Sequence, residues 1–195
     1  MVKKPKKKRE SGGPAGSPGK RVPDDVIEAH VYEILRRLSA EDPAIAKRVG
    51  EIALDLLADV DPEQIAKSIF YDLNSLDVEE LYCSSGRTRD GYVDPGERAR
   101  DMFEEAVEPY IEKLKNYLEL SMDDEAKAVC MGILKGLYKV GEKSINEVVD
   151  YAADAPSNSF SEVLDMWKEG NTDPEKLREM DQFVKNNFPE WYREK

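Results

Sequence analysis

Cys83 and Arg89 lie six positions apart in CSSGRTR. A cysteine followed by five residues and an arginine is the spacing of a phosphatase loop, in which a low-pKa thiolate attacks phosphorus while backbone N–H groups and the arginine hold the oxygens. That chemistry needs a strand before the loop and a helix N-terminus directly after it, so that amides point at the anion. The letters around the loop predict the opposite order. A short helix over DVEELYC, residues 77–83, precedes it, and the next helix starts only at Pro95. The expectation is therefore a loop, SSGRTRDGYV, whose cysteine packs as a small apolar residue, with a cysteine-dependent hydrolase as a remote alternative. Arg87 and Arg89 form a basic spot on an acidic chain. They suit pairing with Asp90 or Asp94, or contact with an anion or a protein partner, and Tyr92 stands beside them.

The other chemical groups are less organised. Carboxylates pair along the chain at Asp24-Asp25, Glu79-Glu80, Glu104-Glu105 and Asp123-Asp124. Acid–base catalysis needs two acids in one cleft with divided pKa values, and this pattern reads as solvated helix faces. His30 is the single histidine and has no triad pattern around it. Cys83 and Cys130 are the two cysteines, too few for a disulfide framework and not spaced as a metal pair. No metal, cofactor or catalytic residue is expected.

The charge is split along the chain. Residues 1–21 hold eight Lys/Arg and one acid, for +7, while the remainder holds 21 bases and 40 acids, for −19. The cationic tip is Lys3, Lys4, Lys6, Lys7, Lys8 and Arg9. It suits a salt-sensitive tether to phosphates, without sequence specificity. An acidic body repels nucleic acid and anionic membrane over most of its face. With Gly, Pro and Ser filling the rest of residues 1–22, that segment is expected to be a disordered basic tail, and residues 23–195 a helical domain. No apolar stretch approaches membrane-spanning length and the N-terminus lacks the apolar segment of a secretory signal, so the expected setting is cytoplasmic, or nuclear in a eukaryote.

The body must be all-α. Ile27, Val31, Ile34, Leu35 and Leu38 recur as one helix face. Ile45, Val49, Ile52, Ala53 and Leu56 line a second helix, and Ile65, Ile69, Phe70 and Leu73 a third. Four helix starts carry the same pair, Asp42-Pro43, Asp61-Pro62, Asp94-Pro95 and Asp173-Pro174, with Asp as N-cap and Pro at the first helical position. The longest helix runs from Pro95 to about Leu120, with a kink or break expected at Pro109. Ser121 is the expected cap of the next, which buries Ala126, Cys130, Ile133, Leu134 and Leu137. Gly132 and Gly136 on that helix admit a close neighbour. Further helices are expected over about 145–153, 160–169 and 174–187, for eight or nine helices in irregular stacked antiparallel hairpins. The aromatics Tyr110, Tyr117, Tyr138, Trp167 and Trp191 read as core and core rim rather than as platforms for bases.

The stretch GYVDPGERARDMFEEAVEPYIEKLKNYLELSMDDEAKAVCMGILKGLY, with its basic loop at Arg87 and Arg89, its Tyr92-Val93-Asp94 helix start and the segment from Gly132 to Tyr138, resembles the uncharacterised all-helical domain that accompanies SWIM-type zinc fingers in archaeal and bacterial proteins. With DPAIAKRVGEIAL the resemblance covers roughly residues 25–140. It implies a HEAT- or TPR-like helical array and no known reaction. The SWIM finger itself is absent, since its Cys and His ligands are not in this chain. The function expected from all of this is a non-enzymatic scaffold that offers a helical surface to a protein partner. The alternative is a nucleic-acid-associated accessory protein that uses the basic tail.

Overall fold

The computed structural model describes residues 23–88 and 91–192. The basic tail, including Lys3, Lys4, Lys6, Lys7, Lys8 and Arg9, lies outside the described residues, as does Arg89. The chain is all-α. Among the described residues nine helices account for almost all regular structure: α1 (Asp24–Glu41), α2 (Pro43–Leu57), α3 (Pro62–Asn74), α4 (Val78–Ser84), α5 (Pro95–Glu119), α6 (Asp123–Lys143), α7 (Glu147–Tyr151), α8 (Ala155–Glu169) and α9 (Pro174–Asn187). The chain divides into two compact units, with the boundary inside α2 between Leu54 and Asp55.

All four Asp-Pro starts cap their helices. The carboxylate of Asp42 accepts from the amide of Ala44 at 2.8 Å, Asp61 from Glu63 at 2.9 Å, Asp94 from Gly96 at 2.9 Å and Asp173 from Glu175 at 2.9 Å. Asp77 does the same for α4 and Asn146 for α7. Each cap satisfies amides that have no partner within their own helix. The expected cap at Ser121 is not formed. Ser121 is a left-handed residue, φ 55°, in a tight reversal, and Met122 stands at the N-cap position of α6 with no side-chain bond.

The second unit is built around α6. Its apolar residues lie on more than one side, and Val129, Cys130, Ile133, Leu134, Leu137 and Val140 are fully buried. Helices α3, α5 and α8 pack against it. The α3 contact is the tightest. A methyl group on Gly132 would sit 2.8 Å from Cβ of Ile65 and 2.9 Å from the carbonyl oxygen of Pro62, and one on Gly136 would sit 2.9 Å from Cβ of Ile69. Only glycine lets the two backbones approach this closely. Helix α9 is fixed to α6 by the ion pairs of Lys176 with Asp124 at 2.9 Å and of Lys127 with Glu179. Phe188, Trp191, Tyr138 and Phe160 then close the C-terminal end, with ring centroids 4.9 to 5.3 Å apart. These aromatics are core and rim, as their spacing implies.

Three local expectations are corrected. Helix α5 runs through Pro109 as one element, so the helix does not break there. Pro109 and Glu105 are both exposed, so the carbonyl that loses its partner can be solvated. Helix α8 begins at Ala155 rather than near residue 160, with Pro156 in its first turn. The loop after α4 contains a two-stranded antiparallel hairpin, β1 (Gly86–Thr88) and β2 (Gly91–Val93), in which Arg87 pairs with Tyr92. Gly86 enters it at φ 80°, a conformation that side chains with a Cβ disfavour.

Cys130 lies at the centre of this packing. It is fully buried, and burial pushes its thiol above the ordinary cysteine range. Cys83 is exposed on α4. A thiol-specific reagent is therefore expected to label one cysteine in the native protein, Cys83, and the second only after denaturation. Two fast equivalents under native conditions would mean that the packing around α6 is looser than described.

Candidate interaction surface

A phosphatase loop, the remote alternative, requires a strand before its cysteine and free helix amides after its arginine. Cys83 is carried by a helix, not by a strand. The first amides of α5, which would have to face an anion, are already taken: Gly96 and Glu97 both donate to the carboxylate of Asp94, at 2.9 and 3.2 Å. Asp94 is thus a cap and not the partner of Arg87. Arg87 is exposed on β1 and, among the described residues, makes no ion pair. Tyr92, opposite it in the ladder, is 72% exposed. The arginine that is organised is one the sequence did not single out. Arg98 on α5 donates to Ser84 at 3.0 Å, Glu80 at 2.9 Å and Glu105 at 3.3 Å, which ties α4 to α5. The paired carboxylates are likewise surface groups. Asp124 is held below its usual range by the hydrogen bond from Lys176. No cluster of three His, Cys, Asp or Glu side chains at metal-binding distance occurs among the described residues. Among the described residues no helix is long and apolar enough to cross a membrane.

The surface that stands out is α1. Its sequence forms a helix for local reasons. Asp24 and Asp25 sit in the first turn, where negative charge is favoured, and Glu33 receives Nε of Arg36 at 2.9 Å and Nε of Arg37 at 2.8 Å. Those two bonds hold the Glu33 carboxyl below its usual range. Both arginines of α1 are therefore paired within the helix.

The apolar side of α1 is partly exposed. Ile27, Val31, Ile34, Leu35 and Leu38 are 37 to 50% exposed, and α1 contains no buried residue. By contrast Ile65, Ile69 and Leu73, the corresponding stripe of α3, are 7, 0 and 1% exposed. Both stripes have the same helical spacing, so the pattern alone does not tell them apart. Helix α2 also contains no buried residue, and its Ile52 is 44% exposed. Contiguous apolar faces of this kind are uncommon on isolated soluble domains and mark contact sites.

Smaller features belong to the second unit. Tyr82 donates to Glu147 at 2.9 Å and meets Tyr151 edge-on at 6.3 Å, leaving both rings half exposed. Hydrogen bonds to Tyr151 and then Glu147 hold the Tyr82 hydroxyl above its usual range. An apolar hollow of about 370 Å³ lies between Leu57, Tyr117 and Leu120, and there the Tyr117 hydroxyl donates to the Leu57 carbonyl at 2.9 Å. Comparison with family models, curated proteins and solved structures finds no match to this chain.

Proposed function

We propose that this protein is a non-enzymatic helical scaffold that docks another protein through the apolar face of α1. The observation that carries the reading is the exposure of Ile27, Val31, Ile34, Leu35 and Leu38 on one helix. Leaving such a stripe in water forgoes roughly 25 cal/mol for each Å² that a partner would cover. A bound helix or groove recovers it, and anchors at i, i+3, i+4 and i+7 are the usual form of helix-in-groove recognition. Arg87 and Tyr92, both exposed and of residue types enriched at contact hot spots, offer a second point of contact on the hairpin. The cationic run from Lys3 to Arg9 would serve as a weak electrostatic tether.

Cross-linking mass spectrometry on native extract, comparing the parent chain with Val31→Glu/Leu38→Glu, tests the reading. Both residues are exposed, so the variant is expected to keep its helical circular dichroism and to lose the cross-links that reach α1. The same set of cross-links from both proteins would remove α1 as a docking face.

A further inference from the structure

On the reading that α1 is a docking face, we infer that its occupant is a second copy of this chain, paired antiparallel through α1. The spacing of the stripe is the first reason. Ile27, Val31, Ile34 and Leu38 follow one another at four, three and four residues, the a/d seam of a helix pair. A twofold axis passing between Tyr32 and Glu33 places Ile27 opposite Leu38 and Val31 opposite Ile34. The face is thus complementary to itself, as an isologous dimer requires.

The charges choose the direction. Asp24, Asp25 and Glu28 make the first half of α1 acidic, while in the second half Arg36 and Arg37 are balanced by Glu33 and Glu41. Parallel pairing would lay the acidic half of one copy on the acidic half of the other. Antiparallel pairing sets the acidic half of each helix beside the neutral half of the other and opposes the helix dipoles. Glu33 pairs with both Arg36 and Arg37, so the middle of α1 carries a residual charge of only +1.

The area is sufficient. Covering all the exposed surface of the five stripe residues would bury at most roughly 400 Å² per copy, so about 800 Å² for two; at the ~65% apolar share of homodimer contacts this corresponds to about 1,200 Å² in all, the lower edge of specific interfaces.

Sedimentation velocity of the full chain from roughly 1 to 200 µM tests the pairing, because small interfaces associate at the weak end of this scale. The parent is expected to pass from monomer to dimer across the range. Val31→Glu, which brings two carboxylates together beside the axis, is expected to weaken association at least about 100-fold, the scale of a like-charge juxtaposition. Orientation is read separately in a Cys83→Ser background. A His30→Cys chain mixed with an Arg37→Cys chain is expected to form the mixed disulfide, because the axis brings positions 30 and 37 together, while Arg37→Cys alone is expected not to cross-link to itself. A parent that stays monomeric throughout, a Val31→Glu dimer of undiminished strength, or self-cross-linking by Arg37→Cys would each overturn the inference. If the parent is monomeric yet Val31→Glu/Leu38→Glu still loses its cross-links in extract, self-pairing falls and the docking face stands.

Discussion

Replacing Gly132 and Gly136 together by alanine is expected to destabilise the second unit by about 3 kcal/mol. Two effects oppose each other. Alanine in a helix gains roughly 0.5–1 kcal/mol per site over glycine. Against this, each new methyl would overlap α3, and forcing an extra carbon into a filled core costs about 1–3 kcal/mol. At Gly132 one of the blocking atoms is the Pro62 carbonyl oxygen, 2.9 Å away, and at Gly136 the Ala66 carbonyl oxygen lies 3.2 Å away. Backbone atoms do not yield by rotating a side chain, so the overlap wins. At roughly 2–4 °C per kcal/mol for a protein of this size, the melting temperature should fall by about 6–12 °C. Gly50→Ala on α2 is the control. Nothing lies within 4 Å of its added methyl, and its effect should be neutral or slightly stabilising. A double variant that melts at or above the parent would show that α3 does not rest on these glycines.

Asn146→Asp is expected to have an effect of similar size for a different reason. Asn146 is buried to 8% exposure and uses every group of its amide. Its Nδ2 donates to the carbonyls of Asn74 at 3.0 Å and Leu76 at 2.9 Å, and its Oδ1 accepts from the Val148 amide at 2.8 Å. One side chain thus caps α7 and holds the chain that leaves α3. Aspartate keeps the cap but loses both donations and turns a carboxylate toward two carbonyl oxygens. Leaving buried groups unsatisfied costs about 1–3 kcal/mol each, more with a charge present, so a loss of about 3–4 kcal/mol at neutral pH follows. The pH dependence fixes the cause. Facing acceptors, the new carboxyl takes a folded-state pKa above its unfolded value of about 4, so the native state binds more protons than the unfolded one between the two values. Stability relative to the parent should fall as pH rises through that window and recover as pH drops below it. Asn146→Ala, which cannot titrate, should lose stability with no such recovery. A pH-independent deficit in Asn146→Asp would mean that the two carbonyls are not its neighbours.

These two sites differ in how far the letters announce them. Gly132 and Gly136 are readable because two glycines four apart on an apolar helix have few other uses, and the Asp-Pro starts are readable because capping is local chemistry. Asn146 is not. Its partners Asn74 and Leu76 are about 70 residues away, and nothing in KSINEVV separates a buried bracket from a surface asparagine. The hairpin escaped notice because three-residue strands are too short to show alternation, and its glycines read equally well as a loop. Ser121 misled because a serine three residues before an acid is a cap signal only when the serine takes up extended backbone, which the reversal after α5 denies it. For the candidate surface, the stripe of Ile27, Val31, Ile34, Leu35 and Leu38 was legible residue by residue. Its exposure was not, because periodicity reports that an apolar face exists and carries no information about what covers it.

Amide hydrogen exchange of the full chain, followed by mass spectrometry at a few protein concentrations, tests the account most directly. The prediction is that peptides from α6 are the slowest to exchange at every concentration, as fits a helix whose opening requires loss of the core, while α1 exchanges quickly in dilute protein and slows as its face is covered. If α1 were as protected as α6 in the most dilute sample, its apolar stripe would already be buried within the chain, and the proposed docking face would not exist.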